Sequence, residues 1–209
     1  LVVMSKEVGE SEVGELVKEQ LNSSVAGLPQ PEPSMRVTFV PNETFDGLLR
    51  YVRNILIIDI DPAKYTMVAL NGYKDEWAKN QEVIKLNAPS IQELVTYLTL
   101  HDSDLVNHFC SIEKERRVAI LKEHYSKLAM DKVQEKFNIS LHAPEDMTYY
   151  KDTTDFLWVS NNANTGRVDL LVYSFPYTDE NTFTEEYLVA KEDYEYAIHN
   201  RELITEKQT

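Results

Sequence analysis

The sequence predicts an α+β fold: a mixed, largely antiparallel sheet with helices packed mainly on one face. Three observations point there. The run Ile55-Leu56-Ile57-Ile58 is continuously apolar and β-branched. It is too short for a helix and does not alternate, so the segment 54–60 reads as a strand buried on both faces. Apolar residues recur at helical spacing in Val13, Leu16, Val17 and Leu21, and again along 112–137. Residues 155–175 read as a long hairpin, with strands at 156–159 and 168–175 around the polar turn 161–166. Ferredoxin-like variations on the two halves are one arrangement open to this order.

Taken in order, Leu1-Val2-Val3-Met4 reads as a strand entered directly, followed by the first amphipathic helix. The polar run Asn22-Ser23-Ser24 ends that helix, because short polar side chains compete for its backbone groups. Gly27 to Pro33 carries three prolines at alternate positions. It is expected to be an extended, stiff connector across the sheet edge, with a recognition segment as the other reading. Met35 to Val40 reads as a strand, and Phe45, Leu48, Leu49 and Val52 as the apolar face of a short helix begun by Asn42.

After the central strand, Asp61-Pro62 forces a turn, and Tyr65 to Val68 is expected to return antiparallel as its hairpin partner. Asn71-Gly72 reads as a further turn, and Glu82 to Leu86 as a short strand. Ser90 and Glu93 form a capping box for a helix burying Ile91, Leu94, Val95 and Leu98. Residues 101–111 interrupt or bend the helical region, and a second break falls near 124–126. Thr184 caps a last helix, with Phe183 and Leu188 as a hydrophobic staple, and the tail from Glu202 is polar and frayed. One domain of two subdomains results. Residues 1–100 form a βαβαββ-type half with its following helix, 101–137 a helical connector, and 138–209 a β-hairpin plus C-terminal helix.

The 209 residues carry a net charge of -14, which repels phosphate backbones and argues against nucleic acid as a partner. Cys110 is the single cysteine, so no intrachain disulfide can form. No run of 18 apolar residues occurs, so no segment reads as a membrane-spanning helix. Chemistry-bearing motifs are sparse. No phosphate loop, nucleophile elbow or His-Glu-x-x-His pattern is present, and the five histidines lack the spacing of a zinc site. Asp59 and Asp61 end the buried strand and share a face, the one arrangement that suggests a Mg²⁺ or Ca²⁺ site. Two carboxylates are few ligands for such ions, and Asp before Pro is common for local reasons. Tyr173, Phe175 and Tyr177 alternate, so they share a sheet face if the strand reaches that far. Pro176 removes a ladder donor there, and Asp179-Glu180 supply a polar rim. They form either a binding surface or a face covered by the last helix.

Gly27 to Pro33, Leu48-Leu49, Arg53 to Asp61 and Trp77-Ala78-Lys79 in the first half, with Lys136-Phe137, Phe156-Leu157-Trp158 and Phe175 to Thr184 in the second, form a set of segments. This set resembles a lipoprotein family of the Bacteroidetes, domain of unknown function 4837. The resemblance spans roughly residues 1 to 195. It implies the periplasmic side of the cell envelope, a lipid anchor on an acylated leader absent from this chain, and a C-terminal truncation, since family chains continue into further strands. It brings no activity, catalytic residue or cofactor. The expectation is therefore a non-enzymatic envelope protein with an envelope protein or ligand as partner, binding through Tyr173, Phe175 and Tyr177. The alternative is a metal-dependent hydrolase using Asp59 and Asp61.

Overall fold

In the computed structural model the described residues are 1–25, 30–191 and 193–194. They form an α+β protein with two sheets, one mixed and one antiparallel. The chain divides into two compact units, Leu1–Lys122 and Glu123–Thr209.

In the first unit, β1 (Val2–Met4) leads through α1 (Lys6–Gly9) and α2 (Glu12–Leu21) to β2 (Phe39–Pro41). After two 3-10 turns come β3 (Asn54–Ile60), β4 (Ala69–Lys74), β5 (Glu82–Ala88), α3 (Ile91–Leu100) and α4 (Asp104–Glu123). The sheet order is β2-β1-β3-β5-β4. The first four strands run parallel and β4 alone is antiparallel, on β5. The larger sheet thus departs from the largely antiparallel pairing expected, and neither sheet has a ferredoxin-like order.

The cause lies in β3. With Ile55, Leu56 and Ile58 almost fully buried, it takes the centre of the sheet, and its two edges are occupied by β1 and β5. No edge is left for a hairpin with residues 65–68, which stand outside every ladder. Helices α1 to α4 cover one face, burying Val2, Met4, Leu56, Ile58, Ile84 and Leu86 against Val13, Val17, Leu94, Leu98 and Phe109. The other face holds a smaller cluster of Val3, Ile55 and Val83 under Phe45, Val52 and Trp77. Ile57 points to this thinly covered face and stays half-buried.

Several local expectations are corrected. Asn71-Gly72 lies inside β4. The reversal comes at 75–80, where Asp75 and Asn80 adopt positive φ of 57° and 61°. Asp and Asn tolerate that conformation better than other side-chain-bearing residues, so they mark the turn in place of glycine. Residues 42–51 form only two 3-10 turns, separated near Gly47 at φ 52°, and Leu48 is exposed. The strand expected at 35–40 is confined to Phe39–Pro41. Of 101–111 only 101–103 interrupt the helical region, α4 running from Asp104, and the second break falls at 124–126 as expected. The Pro-rich connector doubles back: Val25 donates to the Glu32 carbonyl and Ser34 to that of Ser23. Residues 26–29 of it, and the tail from Glu202, lie outside the described residues.

The second unit begins where Ser126 caps α5 (Lys127–Phe137). Its hydroxyl accepts the Ala129 amide and donates to the Met147 carbonyl at 2.6 Å, tying helix to loop. Strands β6 (Tyr149–Asp152), β7 (Phe156–Ser160) and β8 (Asp169–Tyr173) form an antiparallel meander. Leu157 and Val159 of β7 bury against Ala129 and Val133 of α5. A 3-10 turn at Glu180–Phe183 precedes a helical run over 185–191. Among the described residues no helix is long and apolar enough to cross a membrane.

Candidate functional site

Asp59 and Asp61 lie at the carboxyl end of the parallel strand β3. This is the end of an open α/β sheet at which ligands bind. The chain there folds tightly. The amides of Lys64 and Tyr65 both donate to the Asp61 carbonyl, and the Ala63 amide donates to the Asp61 carboxylate at 2.9 Å. The turn brings Lys64 Nζ within 3.0 Å of Asp61 and 3.8 Å of Asp59, while the Tyr65 hydroxyl donates to Asp59 at 2.7 Å.

The charges are mutually held. The Lys64 hydrogen bond, then the Ala63 amide, lowers the Asp61 carboxyl from its ordinary range. Asp61 raises the Lys64 ammonium, and Asp59 raises the Tyr65 phenol. Asp61 is thereby held as a carboxylate and Lys64 as an ammonium, so Asp61 is no general acid and Lys64 no amine nucleophile near neutral pH. Lys64 stands where a cation would balance the pair. Among the described residues no three His, Cys, Asp or Glu side chains come together in a way that could hold a metal.

The aromatic residues of the second unit make a different surface. Strand β8 ends at Tyr173, so the three aromatics do not share a strand, yet Tyr173 and Phe175 still stack, with centroids 6.0 Å apart. Phe175 meets Tyr187 of the helix after Thr184, with ring centroids 6.0 Å apart. Tyr177 instead turns to Phe183, their rings 5.4 Å apart and 22° from parallel. This second pair is open: Tyr177 is 60% exposed and Phe183 70%. Thr184 caps the helix that follows, its hydroxyl accepting the Tyr187 amide.

The loop between these rings is pinned from below. Thr182, 1% exposed, accepts from the amides of Thr178 and Asp179, and the Asp179 carboxylate caps Asn181. The polar rim at Asp179 is thus half committed to the fold, and Glu180 stays exposed. Sequence reasoning missed Phe183 as a member of this surface, and placed Tyr187 and Leu188 on it only as the cover supplied by the last helix. The heptapeptide from Thr178 to Thr184, with Asp179 three residues before Thr182, was the capping signal that could have placed Phe183 beside Tyr177.

Comparison with known families now has a geometry to attach to. The family model described as Domain of unknown function (DUF8532) matches residues 1–122, more than half of the chain. The chain belongs to this family. Its match ends where the first compact unit ends. The model described as Domain of unknown function (DUF4837) matches residues 126–201, within the second unit. The resemblance to that family therefore holds for the second half, while the first-half segments quoted for it fall within the DUF8532 match. No curated protein and no solved structure matches the chain. Both family descriptions leave function open, so neither assigns a role to Asp59, Asp61 or the aromatic surface.

Proposed function

We propose that this chain is a non-enzymatic binding protein of the cell envelope, and that its partner docks on the Tyr177–Phe183 side of the second unit. The observation that carries the reading is the exposure of two stacked aromatic rings on a loop held rigid by the buried Thr182. Exposed aromatics on a preorganised support lose little entropy on docking, and they are the side chains that most often anchor interfaces. The periplasmic location and the lipid anchor rest on the resemblance of the second half to the DUF4837 family. A metal-dependent hydrolase at Asp59 and Asp61 has no comparable support, because Lys64 and Tyr65 already engage both carboxylates.

The test is capture of an envelope partner from solubilised membranes by the full-length lipidated protein. The variant Tyr177→Ala/Phe183→Ala should lose most of that capture while its melting temperature stays within a degree or so of the parent, as exposed substitutions usually allow. Equal capture by parent and variant would remove the proposal.

A further inference from the structure

A cleft of about 520 Å³ opens in the first unit beside the β4–β5 turn. Its wall brings together Arg53, Lys74, Lys79 and Arg116 with Ile112 and Ile120 of α4. That size lies in the range of small-molecule sites. Three carboxylates share the wall with these four cations: Asp75 accepts the Gln81 backbone amide, Glu82 is buried against His108 Nε2 at 2.9 Å, and Glu115 is exposed. Arg53 and Arg116 both engage Glu113, and Arg116 also donates to Asn54 at 2.6 Å, which fixes its guanidinium at the wall. Lys74 and Lys79, by contrast, have no ion-pair or hydrogen-bond partner among the described residues.

The turn that carries Lys79 is held in place. Gln81, 2% exposed, donates to the carbonyls of Arg50 and Val52 at 2.6 and 2.7 Å and accepts the Trp77 amide at 2.9 Å. The two positive-φ residues Asp75 and Asn80 bracket the turn. Such a conformation persists where the surroundings over-determine it, and it is found at ligand clamps. On α4, Ile120 remains 53% exposed at the same cleft.

We propose that this cleft binds a small amphipathic oxyanion, a carboxylate or phosphate head on a short apolar body. Lys74 and Lys79 take the head, and Ile112 and Ile120 cover the body. Cationic donors supply charge-assisted hydrogen bonds to either head, and the apolar wall gains from each methylene it covers.

Titration calorimetry on the intact protein tests this with four probes: acetate, inorganic phosphate, octanoate and octyl phosphate. Comparison between the head classes distinguishes a carboxylate ligand from a phosphate one, and comparison within each class reads the contribution of the tail. A tailed probe should bind about tenfold or more tighter than its tailless counterpart. Lys74→Ala/Lys79→Ala should abolish saturable binding of that probe without changing the melting temperature, since both side chains are exposed. Ile120→Ser should reduce the tailed probe to the tailless level. Lys18→Ala, on α2 and outside this cleft, should bind as the parent does. No saturable binding of any probe at millimolar concentration, equal affinity with and without the tail, or parent-like binding by the double lysine variant would each overturn it.

Discussion

Single side chains decide where the hairpin and helices of each unit are fixed. Gln81 is the clearest case, a buried amide that joins the β4–β5 turn to the backbone at 50–52. Gln81→Leu keeps much of the volume but leaves two carbonyls and an amide without partners. It should destabilise the protein by about 2–3 kcal/mol in urea unfolding; a loss under half that would mean water reaches the vacated groups. Asp152 plays a comparable part in the second unit, where Lys132 and Lys136 both engage its carboxylate. Lys136, before Lys132, holds that carboxyl below its ordinary 3.8. A group whose folded pKa is depressed contributes stability above its unfolded value and loses it as pH falls through the folded one. The melting-temperature gap between parent and Asp152→Asn should therefore be present near neutral pH and close as the pH falls through the lowered folded pKa. A gap that is constant with pH would assign the effect to packing. Neither residue stood out in the sequence, because a polar side chain shows its partners only once distant segments meet.

At the level of elements, local boundary signals hold at the serine caps and fail at Asn42, which begins no α-helix, and at Asn71-Gly72, which lies inside a strand. Ser90 caps α3 through the Glu93 amide, and Ser126 caps α5, at positions where a serine precedes an apolar helical pattern. Pairing is less legible. The apolar run of β3 announces burial, yet burial alone does not say which strands lie beside it. The sequence suggests an antiparallel neighbour next along the chain, whereas the parallel partners lie far off: Leu56 pairs with Val2 of β1, 54 positions away, and with Ile84 of β5, 28 positions away. Gly14 shows a second kind of hidden constraint. On propensity, Gly14→Ala in α2 should gain about 1 kcal/mol. A Cβ there would lie 2.2 Å from the Gly9 carbonyl oxygen and 2.7 Å from its carbon, both backbone atoms. The added methyl cannot be accommodated without moving α1 against α2, and such overpacking costs about 1–3 kcal/mol. Gly14→Ala should thus lower the urea midpoint; a raised midpoint would show that α1 yields freely.

For the whole molecule, the division into Leu1–Lys122 and Glu123–Thr209 coincides with the junction between the two family matches, 1–122 and 126–201. The helical stretch 101–137 spans this junction: α4 belongs to the first unit and α5 to the second, with the break at 124–126 between them. That break was visible in the sequence as a lapse in helical pattern, but its rank as a boundary was not, because continuous helix-forming composition runs across it. Each unit has a core of its own. Leu56 belongs to the core under α1 to α4, and Leu157 to the core between β7 and α5. Truncating a fully buried leucine to alanine costs about 2–5 kcal/mol in the unit that contains it. If the units unfold as separate cooperative bodies, calorimetry should resolve two transitions, and Leu56→Ala and Leu157→Ala should each lower a different one. The aromatic surface would follow the second transition and the cationic cleft the first, so loss of Tyr177 ring contacts by near-ultraviolet dichroism should track Leu157→Ala alone. A single transition lowered equally by both substitutions would instead make the two units one cooperative body, and the junction at 123 a boundary of packing without thermodynamic consequence.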